Sequence, residues 1–154
     1  MFTFLCSKTQ KCLRNMRRSM TLLQYFFSHT DQTPWAQQFL KDILQNPEWK
    51  PVYLDTTIVI LIKNIPNNTT LMKQFSLNGT NYTLPKNTDY QSLLQFANFF
   101  QTAGWKQQQK VVYQRLLEKN PTLCPALYGL TMLLNEEKNP AANIYATRFQ
   151  ERCQ

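Results

Sequence analysis

Along much of this chain apolar residues recur at helical spacing. Over Tyr90–Ala103 they fall at Leu93, Phe96, Ala97 and Phe100, the i, i+3, i+4, i+7 pattern of a helix that buries one face. Near the start, Leu13, Met16, Met20 and Leu23 follow a similar period, and Lys11, Arg14 and Arg18 follow a second one beside it. These periods, with the chain's turn residues, predict helices near 12–28 and 34–45, 51–63 and 67–76, 89–103 and 105–119, and 125–137 and 140–152. Local signals support several of them. Thr33-Pro34 and Asn139-Pro140 each place a capping residue before a proline at the first helical position, and Asp89 precedes the run that starts at Tyr90. Gly104 supplies a left-handed turn between two helices. The β-branched run Thr56–Ile62 also suits a buried strand.

An internal match favours the helix there. Sliding the chain over itself by about 74 residues brings prolines into register, Pro47 on Pro121, Pro51 on Pro125 and Pro66 on Pro140. Apolar positions follow, with Leu22 on Phe96, Phe26 on Phe100, Phe39 on Tyr113, Ile58 on Met132 and Ile60 on Leu134. Each half then divides into two helical hairpins. The expected organisation is a basic segment over 1–30 that overlaps the first helix, one pair of hairpins over 12–76, a loop over 77–88 carrying Asn78-Gly79 and Pro85, and a second pair over 89–154.

The second pair resembles the tetratricopeptide repeat (TPR). Counted from Tyr90, the motif positions hold Leu93, Phe96, Ala97 and Phe100, then Gly104 at the turn, Tyr113 at the aromatic position of the second helix and Pro121 at the close. In the next unit Leu127 and Leu130 fit, while Thr131 stands at the small-residue position; Gln109 and Leu116 stand where the family usually has Ala. The resemblance implies an all-α fold, a short solenoid of about four antiparallel hairpins, with the first helix of each hairpin lining a concave face. Carried over position by position, that face presents Gln91, Gln95, Asn98 and Thr102, continuing with Tyr128, Met132 and Asn135. Amides, an aromatic and a thioether make a neutral, adaptable surface for a protein or peptide partner. Family members that grip a carboxylate terminus do so with basic residues, and Leu94 stands where the first of these would be, so that mode is not expected.

Composition adds an address rather than a chemistry. The 154 residues carry a net charge of +8, but no acid precedes Asp31, so Lys8, Lys11, Arg14, Arg17 and Arg18 give the first 30 residues +5 and leave +3 for the rest. A basic, amphipathic, acid-free start has the composition of a mitochondrial presequence. It also suits peripheral contact of Lys11, Arg14, Arg17 and Arg18 with anionic lipid, or a basic arm on RNA. The longest apolar run, Ile58–Ile62, is far short of the ~20 residues that span a bilayer. Three isolated glycines make no phosphate-binding loop.

Catalytic and metal chemistry finds little purchase. His29 is the only histidine, so neither a His-based metal site nor a Ser-His-Asp triad can be assembled. Cys6 and Cys12 are too far apart for a zinc knuckle, Cys124 and Cys153 have no near neighbour in sequence, and four reduced thiols are expected. Glu136-Glu137, the one acidic pair, points its carboxylates about 100° apart on a helix. No catalytic residue, metal or cofactor is expected. The expected function is that of a non-catalytic accessory or scaffold subunit of a large mitochondrial assembly, a respiratory-chain or ATP-synthase complex, on the matrix or the matrix side of the inner membrane. Its partners would be other protein subunits. Nucleic acid is disfavoured by the small charge of the body, although a mitochondrial ribosomal or RNA-associated protein is the alternative, and a free cytoplasmic TPR-like adaptor a second one.

Overall fold

The computed structural model describes residues 24–154. The basic segment with Lys11, Arg14, Arg17 and Arg18, and most of the helix expected over 12–28, lie outside the described residues. The described chain begins with strand β1 (Gln24–Ser28), helix α1 (Pro34–Gln45), strands β2 (Trp49–Leu54) and β3 (Ile58–Lys63), and a short helix α2 (Thr69–Phe75). A loop then leads to four helices, α3 (Tyr90–Ala103), α4 (Lys106–Lys119), α5 (Cys124–Glu136) and α6 (Ala142–Cys153). The fold is therefore mixed, and the all-α solenoid expected from the sequence is corrected. A three-stranded antiparallel sheet, in the order β1-β3-β2, stands where helices were expected.

The sheet has clear local causes. Asp55 turns the chain between β2 and β3: its Oδ1 accepts the amides of Thr57 (2.8 Å) and Ile58 (2.7 Å), and its own amide donates to the Ile58 carbonyl at 3.0 Å. After that turn, five β-branched or leucine residues alternate faces as the central strand. Val59 and Leu61 are fully buried in the core, while Ile58 points to the opposite, open face. A helix over the same run would have scattered these residues around its circumference. Pro51 is compatible with β2 because that strand lies at an edge, where a missing N–H costs no ladder bond, and an irregularity in register follows it. The offset match is thus not a structural duplication. Phe26 is exposed on a strand, whereas its counterpart Phe100 is fully buried on a helix.

The helical part follows the periodicity. On α1, Ala36, Leu40 and Ile43 are buried on one face, which packs toward β2 and α3. Asp89 caps α3: its Oδ1 accepts the Ser92 amide (2.9 Å) and its Oδ2 the Ser92 hydroxyl (2.6 Å). Gly104 ends the helix at φ 69°, in the left-handed region. Helices α3 and α4 form one hairpin, α5 and α6 a second, and α4 packs on α5 between them. Phe96, Phe99 and Phe100 make the centre of the core, with Leu93, Val112, Leu116, Leu127 and Leu130 around them. The loop between α2 and α3 contributes Tyr82 and Leu84 to that core, and Tyr82 packs on Phe96, Phe100 and Trp105.

Two features tie the last hairpin down. Cys124 opens α5, Cys153 is the last residue of α6, and a disulfide joins them across a Cα separation of 5.7 Å. The expectation of four reduced thiols is corrected at these two positions; the wide spacing in sequence is bridged by the antiparallel hairpin, which returns its ends to the same level. At the α4–α5 contact, Gly129 lies under the Tyr113 ring so closely that an added Cβ would overlap the ring at Cε2 and Cζ. Gly129→Ala is expected to displace that ring and destabilise the fold by about 1–3 kcal/mol. Equilibrium denaturation checks this, and an unchanged midpoint would refute the close contact.

Candidate protein-binding surface

The residues expected to face a partner sit on two helices. Gln91 and Asn98 are exposed and Gln95 half-buried along α3, while Tyr128, Met132 and Asn135 are exposed along α5, one helical turn apart. No hydrogen bond links the two sets among the described residues, and α3 and α5 are not packed neighbours in the way α4 and α5 are. They are two separate strips. The α5 strip is the apolar one. Tyr128 is 54% and Met132 45% exposed, and the Tyr128 ring lies 5.7 Å from that of Phe149 on α6. Close by on α6, Arg148 stands over the Tyr145 ring, 5.8 Å from its centre.

The α3 strip leads into a cleft. Thr102, at its C-terminal end, lines an open groove of about 480 Å³ between α1 and the end of α3, together with Gln37, Gln38, Lys41, Gln45 and Gln101. Four primary amides and one cation surround it. Amides offer both donors and acceptors, the complement of an exposed peptide backbone. The α1 side of this groove escaped the sequence reading because the repeat template placed α1 in a separate hairpin pair. The signal was present as Gln37, Gln38, Lys41 and Gln45 on the polar side of a helix whose apolar side is Ala36, Leu40 and Ile43.

Two lysines of α4 are paired with the acids at the end of α5. Lys106 donates to Glu136 at 2.6 Å and Lys110 to Glu137 at 2.7 Å, so the adjacent glutamates lie against α4 as surface ion pairs. Among the described residues, no group of three or more His, Cys, Asp or Glu is arranged to hold a metal ion.

His29 is buried at the junction of the sheet and α3, at 2% exposure, with its ring centre 5.1 Å from that of Phe99 and 6.4 Å from that of Phe96. Its Nε2 lies 2.8 Å from the Asp55 carbonyl oxygen, which can only accept, so Nε2 carries the proton and Nδ1 is left bare, without a partner among the described residues. Burial lowers the His29 pKa below 6.5, outweighing the hydrogen bond to Asp55 and the Asp55 charge, which raise it. At Asp55 burial pushes upward, but the amides of Ile58 and Thr57 and the Tyr53 hydroxyl outweigh it and lower the carboxyl. Tyr82 is pushed up to about 12, chiefly by burial.

The unfolded chain therefore takes up a proton at His29 before the folded chain does. The stabilisation from a neutral His29 is complete above pH 6.5 and declines as pH falls from there through the lowered folded value. Melting temperature is expected to drop between pH 7.5 and 5, and His29→Gln is expected to remove that step while leaving the steeper loss below pH 4. Parallel pH profiles for the two proteins would contradict the neutral, buried assignment. Comparisons of the chain with protein-family profiles, with curated proteins and with solved structures find no match.

Proposed function

We propose that this chain is a non-catalytic protein-binding subunit of a larger assembly, engaging its partner through the outer strip of α5 and the amide-lined α1–α3 groove. The observation that carries this reading is the pairing of Tyr128 and Met132, large apolar side chains left about half exposed on a helix whose other face is fully used in the core. Aromatic and thioether side chains concentrate at binding surfaces because they bring much contact area at little conformational cost. The TPR-like motif positions over 90–154 support the same reading, since such helical pairs act by presenting surfaces.

The Cys124–Cys153 disulfide supports an oxidising compartment. A mitochondrial address read from residues 1–30 then directs the domain to the intermembrane space rather than the reducing matrix. Trapping free thiols with a maleimide at the moment of cell lysis tests this part. The disulfide predicts that only Cys6 and Cys12 react; labelling of Cys124 and Cys153 would place the protein in a reducing compartment.

For the subunit reading itself, the test is the size and composition of the native complex. Migration well above 18.2 kDa, in a stable stoichiometry with other proteins and unchanged by nuclease or high salt, is the expected result. Co-purifying RNA that is lost together with the protein in high salt would favour the RNA-associated alternative. Migration as a free chain would refute the proposal.

A further inference from the structure

Among the described residues, the face of the sheet turned away from the core is open toward the β2–β3 turn and along β1, and closed at Ile62. Strand register places Gln24, Phe26 and Ser28 of β1, Ile58, Ile60 and Ile62 of β3, and Lys50 and Tyr53 of β2 on this face. Phe26 is 64% exposed and Tyr53 and Ile58 are also exposed, whereas Ile60 and Lys50 are half-buried and Ile62 is buried; the only charged side chain among these eight residues is cationic. At the rim stands Asp55, whose carboxylate accepts the amides of Thr57 and Ile58 and the hydroxyl of Tyr53; it stays ionised, one anion set against the five cations of the entering segment. The chain enters the sheet at Gln24, on this same face, directly from a segment with five cations and no acid (Lys8, Lys11, Arg14, Arg17 and Arg18).

An apolar face and a polybasic segment joined within a few residues are the two signals that together hold a protein at an anionic bilayer surface, where either alone binds weakly. We propose that the open sheet face, led by Phe26, Tyr53 and Ile58, seats on an anionic phospholipid surface, with the cations of residues 8–18 meeting the headgroups. The aromatic rings of Phe26 and Tyr53 suit the headgroup level, and Lys50 lies on the face as a further phosphate contact. This surface is distinct from the α5 strip, so a partner protein and a membrane can be engaged at once.

The test is sedimentation of the full chain with vesicles of phosphatidylcholine alone and of phosphatidylcholine mixed with phosphatidylglycerol. Binding is expected on the anionic vesicles only, weakening steeply as salt rises from about 0.05 to 0.5 M. Arg14→Gln combined with Arg17→Gln and Arg18→Gln is expected to lower the partition coefficient more than about tenfold. Phe26→Ser with Ile58→Thr is expected to lower it by about tenfold. Because the second pair alters strands, Phe26→Trp gives an independent readout: the emission it adds to that of Trp35, Trp49 and Trp105, taken as the difference from the parent, should shift to the blue on anionic vesicles and be quenched by brominated lipid. Tyr128→Ala with Met132→Ala should bind vesicles as the parent does, which separates this surface from the protein-binding strip. The proposal is overturned if the parent binds neutral vesicles equally or no vesicles at all, or if the emission of the Phe26→Trp variant moves no more than that of the parent. It is equally overturned if Phe26→Ser dissociates a dimer of the parent, which would make a second copy the occupant. A cysteine introduced by Phe26→Cys that becomes reactive only after residues 1–23 are removed would also overturn it, giving the face to the chain's own N-terminus.

Discussion

Phe100→Ala is expected to cost about 3–5 kcal/mol, a large share of the roughly 5–15 kcal/mol that a domain of this size possesses. Phe100 is fully buried on α3, and its ring meets four other aromatic rings. It stacks on Phe96 at 5.7 Å and on Trp105 at 5.7 Å, and meets Tyr82 at 5.6 Å and Phe99 at 5.9 Å edge-on. Few of these neighbours can relax into the space left behind. Phe96 and Phe99 are held on the same helix, Trp105 follows the Gly104 turn, and Tyr82 arrives from the long loop. The melting temperature should fall by roughly 10–15 °C. Phe26→Ala is the matched control, since the same atoms are removed from a side chain that is mostly in solvent; it should change stability by less than about 0.5 kcal/mol. Equal losses at the two positions, measured by thermal and denaturant unfolding, would contradict the core described here.

Reduction of Cys124–Cys153 is expected to cost about 3–4 kcal/mol, because the bond closes a 29-residue separation and its loss returns that loop's freedom to the unfolded chain. The cost should be local in its structural effect. On α6 only Ala142 is fully buried, with Tyr145 and Phe149 half-buried against the core, so the last helix is held by little apolar area of its own. Cys124→Ser with Cys153→Ser should reproduce the effect of reductant, and reductant should then do nothing further. Hydrogen exchange should speed up first in α6 while amides of α3 and α4 stay protected. A variant as stable as the parent, or one that loses protection uniformly, would show that the bond is not what holds the last hairpin.

The helical half was legible because its signals agreed with one another. Asp89, Gly104, the proline at the start of α1 and the Leu93-Phe96-Ala97-Phe100 stripe each point to the element that forms, and helix periodicity depends only on neighbours in sequence. The sheet was misread for a specific reason. Ile58–Ile62 is apolar at every position, so it has neither a two-residue nor a 3.6-residue period, and the offset match of the run from Thr56 to the helical stretch from Leu130 decided the question wrongly. Better local clues lay beside it: the Asp55-Thr56-Thr57 turn, and Trp49 and Pro51 alternating with Lys50. Phe26 and Phe100 illustrate the same limit. Paired by the offset, they lie at opposite extremes of burial, because exposure is set by what packs across from a residue and not by its spacing in sequence.

The strips on α3 and α5 were reached by carrying over the positions of the TPR-like template, which placed them on one face, whereas the α1–α3 groove required knowing that α1 packs on α3. The disulfide was hidden for a related reason. Cys124 and Cys153 are far apart in sequence, and only the antiparallel return of α5 and α6 brings them together. Burial of His29 was equally invisible, since it depends on Phe96 and Phe99 meeting the end of β1.

The central claim is that the chain works by holding another protein on the α5 strip. Its most direct test replaces Tyr128 or Met132 with a photo-crosslinking amino acid in the living source cell, with exposed Glu118 on α4 as the control position. Crosslinking from Tyr128 and Met132 to one and the same protein, absent from Glu118, is the predicted result. No discrete product from either α5 position, or an identical set of products from all three, would contradict it.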